Sequence, residues 1–83
     1  MTANQLVAQW RKSSTLTLNA LSQRAGVSVP FLSDIEHGRR HVSLKAAVSL
    51  AAALEQPAHE VVQAVLQDRL DAAGLSMRVE VAP

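Results

Sequence analysis

This sequence predicts an all-helical domain of five short helices, and three observations carry that reading. Apolar residues make up 48% of the 83 positions, a globular rather than a disordered composition. Aromatics are only 2%, namely Trp10 and Phe31, so the core must be built from Leu, Val, Ile and Ala, which suits packed helices better than a sheet. A Ser or Thr also stands ahead of apolar-periodic runs at Thr2, Thr17, Ser28 and Ser43, where helix N-caps belong. A chain of this length forms one domain with one modest core.

The elements follow in order. Thr2 and Gln5 read as a capping box, with Met1 and Leu6 placed as a hydrophobic staple. Leu6, Val7 and Trp10 mark one face of a first helix over roughly 3–13. Thr17 caps a second helix bearing Leu18, Leu21 and Ala25, and Gly26 ends it. Ser28 caps a third helix, about 29–37, with Pro30 in its first turn. Because Pro30 has no N–H, Ser28 must bond the amide of Phe31. Leu32 and Ile35 form its buried stripe and Gly38 stops it. Ser43 caps a fourth helix running to about Leu54, Pro57 opens a fifth, and Gly74 closes it. The tail Ser76–Val81 alternates polar and apolar, which permits a short C-terminal strand.

Charge is unevenly shared. Residues 1–45 hold six bases (Arg11, Lys12, Arg24, Arg39, Arg40, Lys45) and two acids (Asp34, Glu36), a net +4. Residues 46–83 hold two bases and five acids, a net −3, so the first half suits a polyanionic partner and the second does not. The absence of cysteine excludes disulfides and thiolate metal sites and fits a cytoplasmic protein. Met1–Ser14 is polar and amphipathic, unlike a signal peptide, and no apolar run is long enough to span a membrane. No nucleophile constellation occurs, and Glu36 lacks the partner a catalytic acid needs, so an enzyme is not expected. His37 and His41 are four apart, but Gly38 lies between them and no third ligand is near in sequence, so no metal or other cofactor is expected. No small-molecule pocket can be inferred.

Two short helices separated by a glycine turn form the core of a helix-turn-helix unit. Leu21 and Ala25 serve as its buried positions, Ser22 is small where the second helix must approach, Val27 plugs the turn, and Leu32 and Ile35 pack back. Leu21-Ser22-Gln23-Arg24-Ala25-Gly26-Val27-Ser28 and Phe31-Leu32-Ser33-Asp34-Ile35-Glu36-His37-Gly38-Arg39-Arg40 resemble the turn and recognition helix of the phage repressor and Cro-type family, also called XRE-type. The resemblance extends over about residues 4–56. It implies a lambda-repressor-like domain, a partner in double-stranded DNA, and a structural ion pair between Arg11 and Glu36. Three positions depart from the family pattern: Leu18, where a phosphate-contacting Gln is frequent, Thr15, where Gly is frequent, and Val42, where Pro is frequent.

A recognition helix lies in the major groove with its N-terminal residues toward base edges. The candidates for base contact are Val29, Pro30, Phe31, Ser33 and Asp34. Val29, Pro30 and Phe31 suit thymine methyls, Ser33 either class of base, and Asp34 a cytosine amine. A second role for Asp34 is pairing with Arg39 or Arg40. The candidates for phosphate contact are Arg39, Arg40, His41, Ser43, Lys45 and Arg24. The expected arrangement is a DNA-binding core at 1–56 and a dimerisation region at 57–83. Val62, Val65, Leu66, Leu70, Met77, Val79 and Val81 are the expected contacts of a homodimer. The expected function is a repressor on a palindromic operator. The alternative is the antitoxin of a toxin–antitoxin pair, in which the same fold also binds a protein.

Overall fold

Each of the first four helices starts on the side chain that the sequence offers for it. In the computed structural model, which describes residues 1–83, α1 spans Ala3–Ser13, and Thr2 and Gln5 close the capping box with bonds of 2.8 and 3.1 Å. Helix α2 (Leu18–Ala25) begins where Thr17 Oγ1 accepts from the Ala20 amide. Helix α3 (Val29–Glu36) begins where Ser28 Oγ accepts from Phe31 N–H at 3.1 Å, the bond that Pro30 makes necessary. Ser43 caps α4 (Leu44–Ala53) in the same way, through the Ala46 amide. Helix α5 (Ala58–Ala72) follows Pro57 and has no side-chain cap.

One apolar core joins all five. Helix α1 buries Ala3, Val7 and Trp10, spaced four and three residues apart on a single face. Leu21 comes from α2, Leu32 and Ile35 from α3, and Ala47, Leu50 and Ala51 from α4, while Val61 and Val65 come from α5. Full burial of one Leu or Val side chain contributes about 1.5–3 kcal/mol. The buried Ser22 hydroxyl donates to the Asn19 carbonyl, and no buried side-chain polar atom lacks a partner. Gly26 takes φ +70 at the turn between α2 and α3, a left-handed conformation that costs glycine nothing. Thr15, where the family often has glycine, is itself left-handed at φ +57.

Two expectations need correction. Val65 is buried in this core between α5 and its neighbours, so it is unavailable as a dimer contact. The tail forms no strand. After Gly74 it turns back and runs extended beside α5, held by two glutamines. Gln67 accepts from the Val79 amide at 2.9 Å and donates to the Met77 carbonyl at 2.8 Å, and Gln63 accepts from the Val81 amide at 2.9 Å. The physical reason is a match of repeats. Residues four apart on a helix are about 6 Å apart along its axis, and alternate residues of an extended chain are about 6.6 Å apart. The alternation in the tail therefore faces a helix rather than another strand, with Val79 and Val81 half-buried and Met77 exposed.

Candidate nucleic-acid interface

The exposed part of α3 begins with its first turn, where Val29 is half-buried and Pro30 exposed. Ser33 and Asp34 follow one turn on, both partly exposed. Phe31 is less free than the sequence suggests. It packs against the core, and the Arg40 guanidinium sits over its ring at 5.2 Å from the centroid, a cation–π contact between the helix and the loop that follows it. Asp34 accepts from Arg39 Nε at 2.9 Å, and the Arg39 amide donates to the Asp34 carbonyl. The pair is exposed and weak as a source of stability, yet it partly neutralises the one acid on the reading face. His37 Nδ1 donates to the Ser33 carbonyl at 2.7 Å.

Of the other candidates for phosphate contact, Arg24 in the last turn of α2, His41 in the loop and Lys45 in the first turn of α4 are exposed and make no ion pair. Ser43 is exposed and occupied in capping α4. His37 and His41 belong to no cluster able to hold a metal ion.

The far end of α3 is tied to α1. Arg11 Nε and Nη2 both donate to the Glu36 carboxylate, the second at 2.9 Å, and Arg11 Nη1 donates to the Leu16 carbonyl. Both side chains are largely buried, at 16% and 10% exposure, which makes this a bidentate, water-poor pair. The hydrogen bond to Glu36 raises the Arg11 guanidinium above its ordinary pKa against the opposing effect of burial, with the Glu36 charge adding to the rise. It is therefore a permanent cation. Asn4 lies on the same face of α1, seven residues earlier, and its Nδ2 donates to the Ile35 carbonyl at 2.8 Å and the Arg40 carbonyl at 2.7 Å. Sequence reasoning missed Asn4. The available signal was a polar residue at the spacing 4, 7, 11 that otherwise marks the packed side of α1. Asp68 of α5 was missed too, and it accepts from the Ala3 amide at 2.9 Å.

A short helix with a partly exposed first turn, a glycine turn before it and a basic loop after it define a helix-turn-helix unit. Comparison with known proteins agrees. A family model described as Helix-turn-helix matches residues 7–61, and the chain belongs to that family, of the Xre type. It is a DNA-binding protein of the transcription-regulating kind. Among solved structures, the clp gene regulator ClgR from C. glutamicum is similar, with a TM-score of 0.68 and 26% sequence identity over 80% of this chain and 86% of that one. No curated protein matches the sequence. No helix is long and apolar enough to cross a membrane.

Proposed function

We propose that the protein is a repressor that binds a near-palindromic operator as a homodimer, with residues 1–56 reading DNA and residues 57–83 joining the two copies. The observation that carries this reading is the poverty of the single reading face. Val29, Pro30, Ser33 and Asp34 offer no Arg–guanine or Gln–adenine pair, and Asp34 is already shared with Arg39. Two such faces held about one DNA turn apart, roughly 34 Å, give the extra contacts that one face lacks. Val62, Leu66 and Leu70 are half-buried on α5, outside the core set, and Leu75 and Met77 are 48% and 61% exposed. With the half-buried Val79 and Val81 of the tail, they make up the proposed contact set, from which Val65 is removed. The similarity to a solved gene regulator supports the regulatory role.

Selection from a random DNA pool, paired with sedimentation at micromolar protein, tests the proposal. The expected result is a two-fold symmetric site and a dimer. A monomer even when bound to the selected site would overturn it. A chain ending at Gly74 that still dimerises would place the contact on α5 rather than on the tail.

A further inference from the structure

We propose that Asn4, in the first turn of α1, is a positioning residue for the DNA-facing basic loop. This rests on the DNA-binding reading above and names a device inside it. Between α3 and α4 the chain has little internal support. The amides of Gly38 and Arg39 bond back to Ile35 and Asp34, and the Ser43 carbonyl accepts from Ala47 as α4 begins. From Arg40 to Val42 no backbone amide or carbonyl is bonded to another backbone group. The Arg40 carbonyl is nevertheless fixed, because one hydrogen of the Asn4 amide reaches it at 2.7 Å. The other hydrogen reaches the Ile35 carbonyl in the last turn of α3 at 2.8 Å. An amide nitrogen has two protons in a rigid plane, so one side chain ties the end of the recognition helix to the backbone of the residue carrying a candidate phosphate contact.

Asn4 is itself held. The capping box fixes the first turn of α1, the Ala3 amide is bonded to Asp68 of α5, and Ala3 is buried. Arg11, two turns along the same helix, fixes Glu36. The loop is thus mounted on α1 at one carbonyl while its cations stay outside. No other residue type of similar size does this. Asp has no donor, Ser has one proton and a shorter reach, and Ala has neither.

The experiment compares the full chain with Asn4→Ala, Asn4→Ser, Arg40→Ala and the double variant Asn4→Ala with Arg40→Ala. Binding to a selected operator and to an unrelated duplex is measured across salt concentrations, at a temperature where circular dichroism shows each variant folded. Asn4→Ala is expected to lower the slope of log K against log salt by about 0.9, one phosphate contact, on both duplexes. Arg40→Ala is expected to do the same alone and to add nothing in the Asn4→Ala background. A merely structural role for Asn4 would leave the slope alone and make the two effects additive, and either result overturns the proposal. Asn4→Ser keeps a helix-compatible residue but serves one carbonyl at most, so it is expected to follow Asn4→Ala and carries the test if the alanine variant does not fold. The two readings fail differently. If Arg40→Ala leaves the wild-type slope intact, Arg40 makes no phosphate contact and the positioning role falls, whereas the larger reading falls only if the selected operator is bound no better than the unrelated duplex. If Arg40→Ala weakens binding and neither Asn4 variant does, only the positioning role falls.

Discussion

The two ends of the recognition helix are built on opposite plans. At its start α3 depends on its own neighbours in sequence, with Ser28 capping it and Pro30 presetting its first turn. At its end it depends on α1, which contributes the Arg11 bonds to Glu36 and the Asn4 bonds to Ile35 and Arg40. The difference separates two tasks. The first turn is anchored by Leu32 and leaves Val29 and Pro30 outside any side-chain hydrogen bond or ion pair, and the last turn is fastened to α1. A helix fastened at one end can be aimed without using the residues that read.

The largest expected effect is at the fastened end. Glu36→Ala leaves Arg11 largely buried without its partner, and a loss of about 3 kcal/mol in urea unfolding is expected. Ser28→Ala at the open end is expected to cost about 1 kcal/mol, the usual worth of a cap. A larger loss at Ser28 would invert the comparison. Asp34→Ala comes next. Removing the acid proposed to face DNA and releasing Arg39 should change base preference by about 1–2 kcal/mol at one position and raise affinity for unrelated duplexes. A binding-site selection that returns the wild-type motif would move the readout to DNA shape. Arg40→Ala is expected to lower the salt slope by about 0.9 on any duplex, and Arg39→Ala by less, because Asp34 already holds Arg39. The smallest effect lies outside α3. Thr15 is left-handed, so Thr15→Gly should stabilise the fold by about 0.5 kcal/mol, the strain relieved less the extra freedom of the unfolded chain. Unfolding midpoints would show it.

What the sequence made legible was local. The caps at Thr2, Thr17, Ser28 and Ser43 act within three residues, and Gly26 within one, so residue type and spacing sufficed. The Arg11 and Glu36 pair spans 25 positions and came from family resemblance rather than from any physical pattern. Asn4 meets backbone carbonyls 31 and 36 residues away, and any residue has a carbonyl, so its partners leave no mark in the sequence. Val65 illustrates a different limit. The apolar stripe of α5 is wide, and which edge faces inward depends on how the helix docks on α1 and α4. The tail shows a third. Its alternation is real, but period two describes an extended chain, not what lies beside it.

That tail would mislead a solvent-isotope experiment. Gln67 and Gln63 take up the amides of Val79 and Val81 but not those of Arg78 and Glu80. Deuterium uptake would therefore run slow and fast at alternate residues, the signature ordinarily assigned to an edge strand. A spectroscopist would draw a sheet where the molecule has two glutamine side chains, and replacing both with alanine would erase the pattern without unfolding a single helix.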